Sequence, residues 1–131
     1  MDTREQMIDL AKAVMRNAYS PYSQFKVGAC LRTSDGAYFT GCNVENVSYG
    51  LTLCAEASAI ASLVSAGNTR LVEVAIIGSS NAFCSPCGAC RQRLAEFGSP
   101  DTLVHMANAE GEHQTLRLGD LLPHAFTPQN F

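Results

Sequence analysis

Leu71-Val72-Glu73-Val74-Ala75-Ile76-Ile77 is a near-continuous apolar run, and Ser85-Pro86-Cys87-Gly88-Ala89-Cys90 follows soon after it. The run suits a strand buried on both faces, the habit of a sheet covered by helices. The second stretch reads as a helix start, with Ser85 as N-cap and Pro86 at the first helical position. That helix is expected to reach about Phe97 and to stop at Gly98. A buried strand leading into a helix sets the frame for the rest of the chain.

Working outward, Thr3 to Ala18 places Met7, Leu10, Ala11, Val14, Met15 and Ala18 at helical spacing. Thr3 is the expected N-cap, and Ser20-Pro21 the stop. Phe25 to Leu31 and Ala37 to Val44 read as two strands joined by a hairpin at Asp35-Gly36. Leu53 to Ala66 is an alanine-rich helix closed by Gly67-Asn68. Leu103 to Ala107 and His113 to Leu118 are two further strands, and Asp120 to Leu122 is a short helix before Pro123. This order predicts a three-layer α/β/α domain of the α/β class with a mixed five-stranded sheet. No repeat or low-complexity linker divides it, so residues 1–131 are expected to form a single domain.

Composition narrows the function. Hydrophobic residues make up 47% of the 131 and charged residues only 16%, which describes a folded globular chain. So few charges leave little polar surface for a lone monomer, and contact with other subunits is expected. The net charge of -3 comes with nine scattered Lys and Arg. A polynucleotide binder needs a basic stripe to neutralise phosphates, and none is present. No apolar run approaches the roughly 20 residues that span a bilayer. Met1 leads straight into polar residues rather than a secretory leader, so a cytoplasmic location is expected.

Six cysteines outside a secreted context suggest metal binding or catalysis rather than a disulfide framework. Cys87 and Cys90 at i and i+3 share one helix face near an N-terminus, where the helix dipole favours thiolates. Cys54 opens a separate helix, and Glu56 follows two residues later. Three cysteines leave one position of a tetrahedral zinc open, the arrangement of a catalytic site. A carboxylate beside that position is a natural proton carrier. Cys84 precedes the helix start and is expected to lie outside the ligand set. Cys30 and Cys42 read as core residues. His105, His113 and His124 lack metal spacing and read as structural or surface residues.

The motifs resemble those of the small homotetrameric zinc-dependent cytidine deaminases. The likeness runs through Tyr19-Ser20-Pro21-Tyr22-Ser23, Phe25-Lys26-Val27-Gly28-Ala29, Gly41-Cys42-Asn43-Val44-Glu45-Asn46, Ser48-Tyr49-Gly50, Cys54-Ala55-Glu56, Ser85 to Gln92 and Leu121-Leu122-Pro123. The resemblance implies one zinc per subunit, held by Cys54, Cys87 and Cys90, with Glu56 as proton shuttle. It places Phe25 near the pyrimidine, Asn43 and Glu45 on the ribose hydroxyls, and Ala55 among the substrate contacts. Tyr49 and Phe126 match residues that reach a neighbouring subunit's site. The implied reaction is hydrolysis of cytidine or deoxycytidine to the uracil nucleoside and ammonia, a step of pyrimidine salvage.

Family members commonly carry an arginine after Cys-Ala-Glu, and this chain has Ala57. A zinc with three thiolates carries about one net negative charge. Arg91, next to Cys90, is the expected compensating cation, helped by the two helix ends. Deamination of a related aminopyrimidine nucleoside or antibiotic shares the zinc motif and remains an alternative. A non-catalytic zinc module has no use for Glu56, and a polynucleotide-editing deaminase fits poorly with the acidic balance.

Overall fold

The computed structural model describes residues 2–131. Its elements are α1 (Thr3–Met15), β1 (Val27–Arg32), β2 (Tyr38–Cys42), α2 (Ala55–Ser65), β3 (Glu73–Gly78), α3 (Gly88–Phe97), β4 (Leu103–Ala107), β5 (His113–Arg117) and α4 (Leu118–Leu121). Single turns of 3-10 helix add Tyr49–Leu51 and Pro128–Asn130. The five strands lie in the order β2-β1-β3-β4-β5. β1 is antiparallel to both β2 and β3, β3 and β4 are parallel, and β5 returns antiparallel to β4. The mixed five-stranded sheet expected from the sequence is the one observed.

Alternation along the strands makes two separate cores. Cys30, Ala75, Ile77 and Ala107 face α1, where they pack with Met7 and Ala11. Ala29, Leu31, Val74, Ile76, Val104 and Met106 face the other way, against Ala55, Ala59, Leu63 and Leu94 of α2 and α3. Every residue of β3 is buried, as its apolar run predicts for a strand covered on both sides.

Two glycines let the helices sit this close. A Cβ on Gly28 would lie 2.0 Å from the carbonyl oxygen of Ala11 in α1. One on Gly41 would lie 2.3 Å from the backbone nitrogen of Ala59 in α2. The second contact holds the start of α2 against the sheet, and with it Cys54, Ala55 and Glu56.

Every helix starts away from its expected residue: α2 at Ala55 rather than Leu53, α4 at Leu118 rather than Asp120, and α1 and α3 by a shift of their caps. Asp2, not Thr3, caps α1, its carboxylate accepting from the Glu5 N–H at 2.8 Å. The acidic side chain is the better acceptor for free N–H groups, and Thr3 becomes the first helical residue. α1 also ends at Met15, because Asn17 and Ala18 already turn toward the bridge between Tyr19 and Val44. In α3 the N-cap is Cys87 rather than Ser85: its extended backbone precedes the first helical bond, Arg91 N–H to Cys87 C=O at 2.9 Å. Ser85 instead accepts a hydrogen bond from the Arg91 side chain.

Candidate active site

The shift of the α3 cap changes how the site is built. Cys54 is the N-cap of α2, and Cys87 is the N-cap of α3. Two helix N-termini therefore converge on one place, each presenting unpaired N–H groups and a partial positive charge. Cys90 follows in the first turn of α3, fully buried, while Cys87 is exposed and Cys54 half-buried. The three Sγ atoms lie within 4.8 Å of one another. A Zn–S bond of about 2.3 Å puts two tetrahedral ligands about 3.8 Å apart, so the sulfurs stand within about 1 Å of the spacing an ion imposes. Among the described residues this is the one cluster of three or more such ligands. The donor set fits zinc.

Environment splits the three thiols. Cys87 sits below the ordinary thiol range: burial pushes it up, but the Cys90 N–H and the neighbouring thiols outweigh that. Cys54 and Cys90 are held up, first by burial and then by negative neighbours, Glu56 among them. Taking up a cation reverses that repulsion, so metal binding releases protons here. Cys84 borders the same cavity but stands apart from the cluster, its thiol pushed up to about 12 by burial and by Glu56.

Glu56 is in the first turn of α2 and only 5% exposed. Burial raises its carboxyl above the ordinary value, and the backbone and Arg93 only partly offset this. A carboxyl that gains and loses its proton nearer neutrality is suited to carrying one. It opens, with Cys54 and Cys87, onto a cavity of about 230 Å³ that Phe25, Asn43 and Ala55 also line. A shallower groove of about 360 Å³ lies next to it, formed by Tyr22, Ser23, Glu45, Tyr49 and Thr52. Thr52 borders both.

Asn43 and Glu45 lie just past β2, not on it, and each is fixed by the loop before β1. The Asn43 amide accepts from Val27 N–H and donates to Phe25 C=O, both at 2.9 Å. One N–H and one lone pair remain for the cavity. Glu45 accepts from the N–H groups of Tyr22 at 3.0 Å and Ser23 at 3.1 Å, and from the Ser23 hydroxyl. These bonds, led by the hydroxyl, hold its carboxyl below the ordinary range. The Phe25 ring is seated over Gly78, where a Cβ would approach it to 2.6 Å.

Of the remaining expected residues, Tyr49 lines the groove beside Glu45 and Phe126 lies away from both cavity and groove. Tyr49 is exposed and meets the edge of Tyr22, with ring centroids 6.2 Å apart. Phe126 is exposed near the C-terminus, stacked on Phe131 and tied by its backbone to the Gln92 side chain. Neither belongs to the cavity holding Glu56 in one copy of the chain.

Arg91 does not reach the thiols. Its guanidinium is spent on three oxygens: Pro86 C=O at 2.8 Å, Leu121 C=O at 2.8 Å and Ser85 Oγ at 2.9 Å. Sequence adjacency to Cys90 turns it away, because neighbours on a helix point about 100° apart. The guanidinium that does reach is Arg93, whose Nη1 donates to Cys90 Sγ at 3.4 Å. That bond holds Arg93 above its ordinary value. The i to i+3 spacing from Cys90 to Arg93 was the signal that could have found it.

Known proteins resemble this chain in sequence and fold. The family model for the cytidine and deoxycytidylate deaminase zinc-binding region matches residues 1–106. A cytidine deaminase of Halalkalibacterium halodurans is 42% identical over 127 residues, covering 97% of this chain and 96% of the relative. One from Mycobacterium tuberculosis is 49% identical over 109 residues, covering 83% and 78% of the two chains. The crystal structure of cytidine deaminase from Burkholderia pseudomallei superposes with a TM-score of 0.91 at 46% identity, covering 95% of this chain and all of the other. On these grounds the chain belongs to the zinc-binding cytidine and deoxycytidylate deaminase family.

Proposed function

We propose that this protein is a hydrolase that deaminates cytidine and deoxycytidine, a reaction of pyrimidine salvage in the cytoplasm. The observation that carries the reading is Glu56: a buried carboxyl beside three convergent thiols, opening on a cavity of a size for one small ring. Cys54, Cys87 and Cys90 hold one zinc per subunit. When bound, the ion supplies a Lewis acid that makes a water a better nucleophile near neutral pH.

The chain's own side chains do the rest. Phe25 packs on the pyrimidine, and the backbone of Ala55 and the side chain of Glu56 face its polar edge. Glu56 takes a proton from the attacking water and delivers it to the ring nitrogen. The water oxygen bonds to the amino-bearing carbon, and Glu56 moves the second proton to the departing amine. The C–N bond breaks, ammonia leaves and the carbonyl of the uracil ring forms. Water is consumed and no other reactant is needed.

Asn43 and Glu45 receive the ribose hydroxyls, the first in the cavity and the second in the adjoining groove. Their prior ties to the loop of Tyr22 to Val27 hold them in place before substrate arrives. That preorganisation reduces the ordering cost of binding. Tyr49 and Phe126, exposed in one copy, complete a neighbouring subunit's site in a homotetramer of such chains, each formed of residues 1–131 as a single domain. No helix among the described residues is long and apolar enough to cross a membrane.

Zinc-loaded protein is tested with cytidine, deoxycytidine and cytosine, following ammonia release and the loss of ultraviolet absorbance. Both nucleosides are expected to turn over and the free base to react poorly, because it offers nothing to Asn43 and Glu45. Turnover of cytosine or of a modified aminopyrimidine in preference to both nucleosides would overturn the reading.

A further inference from the structure

Three thiolates and a zinc carry about one net negative charge, and an ionised Glu56 adds a second beside it. A buried site holding two surplus charges binds its metal poorly unless a cation faces it. The helix N-termini at Cys54 and Cys87 supply only about half an elementary charge each. Arg91, the cation nearest in sequence, has its donors on Pro86, Leu121 and Ser85.

We propose that Arg93 is the cation that balances the three-thiolate zinc centre, reaching it from α3 across the space left by Ala57. Its Nη1 stands 3.4 Å from the buried Cys90 sulfur. Ala57 of α2 and Arg93 line the same groove, together with Ile60, Glu96 and Phe97. The methyl of Ala57 leaves room for the arginine stem to cross. A long side chain at position 57 would compete for that space. Arg93 touches neither the cavity that Phe25 and Asn43 line nor any proton the reaction moves. It is a positioning residue, acting through the Cys90 sulfur and through its charge on the nearby Glu56 carboxyl.

The proposal rests on the zinc reading but not on the identity of the substrate, so it is tested by metal affinity. Zinc-free full-length protein is titrated with zinc in competition with a chromophoric chelator. The parent is compared with Arg93→Met, Arg93→Gln and Arg93→Lys. Met keeps the stem and Gln keeps a hydrogen-bond donor without the charge, so both are expected to lose tenfold or more in affinity. Lys restores the charge and stays within about threefold of the parent.

Moving the cation in Arg93→Met/Ala57→Arg recovers most of the loss. Thermal unfolding of the zinc-free forms separates packing from charge, because neutral thiols ask little of Arg93 and the Met and Lys variants unfold together. Equal affinity in Met and parent, or equal losses in Met, Gln and Lys, overturns the role of Arg93 alone. A parent chain that binds no zinc overturns the centre itself.

Discussion

Two carboxyls with little exposed surface, one on each side of the sheet, are shifted in opposite directions. Glu56 is 5% exposed and Glu73 is 6% exposed. Glu56 titrates above the ordinary value and Glu73 below it. Burial pushes both upward, harder at Glu56, which more protein surrounds, and at Glu73 the partners outweigh it. Glu73, on β3, receives His105 Nε2 at 2.5 Å on one oxygen and two Arg32 nitrogens, at 2.9 and 2.8 Å, on the other. His105 is held in turn by Thr115 at 2.7 Å. That set is closed, with every member spent on another member. Glu56 has only Arg93 as a nearby cation, and Arg93 is shared with Cys90. A carboxyl left short of partners stays exchangeable, which is what proton transfer asks of it.

The sharpest way to break this contrast is to neutralise each carboxyl. Glu56→Gln is expected to lower turnover of cytidine by about 10³-fold, within the span typical of a lost acid–base group. Its zinc content and unfolding midpoint should match or exceed the parent's, because a buried charge has been removed without orphaning a partner. A variant that loses its fold along with its activity would make Glu56 a structural residue like Glu73. Glu73→Ala should do the reverse. It leaves Arg32 and His105 facing an empty place, and breaking a buried pair this way costs about 3 kcal/mol. Urea denaturation should show that loss, while kcat per folded enzyme stays close to the parent's.

Acid sharpens the same comparison with a smaller effect. Glu73 has a folded pKa below its ordinary 4.5, so its contribution to stability is present above that value. The contribution is lost as pH falls through the lower folded value. Urea midpoints of the zinc-free protein between about pH 6 and pH 3 should therefore fall more steeply for the parent than for Glu73→Gln. Parallel curves would mean that the network does not hold its carboxyl ionised.

Much of this contrast was legible in the sequence and some was not, for reasons that differ by residue. The apolar run of Leu71 to Ile77 marks β3, and spacing pairs Cys87 with Cys90 and Cys54 with Glu56, because helix geometry is local; the meeting of the two helix starts belongs to the fold. The layers and the mixed five-stranded sheet follow from connection rules, whereas the strand order β2-β1-β3-β4-β5 is set by long-range pairing that no local pattern carries. The cap at Asp2 was missed by one residue, and the cap at Cys87 by two, because a cysteine is not an expected cap and Ser85-Pro86 imitates one. From the sequence His105 reads only as a structural or surface residue, since Glu73 and Arg32 are distant in sequence and meet it only through sheet register. Adjacency to Cys90 points to Arg91, but direction on the helix turns Arg91 away and brings Arg93 to the sulfur.

The smallest test lies at the far end of the strand that carries Glu73. β3 places Glu73, Ala75 and Ile77 toward α1 and Val74, Ile76 and Gly78 toward the thiols, so one strand serves both regions. At Gly78 a Cβ would stand 2.6 Å from Phe25 Cζ and 3.3 Å from Cys84 Sγ. The nearer atom is the far end of a ring that is partly exposed, so the ring shifts more cheaply than the backbone. Gly78→Ala should therefore cost less than about 1 kcal/mol in stability. It should raise KM for cytidine several-fold as Phe25 is pushed into the cavity, with zinc affinity unchanged. A loss of stability as large as that of Glu73→Ala would mean that this end of β3 belongs to the core rather than to the site. Unchanged KM would remove Phe25 from the substrate's surroundings.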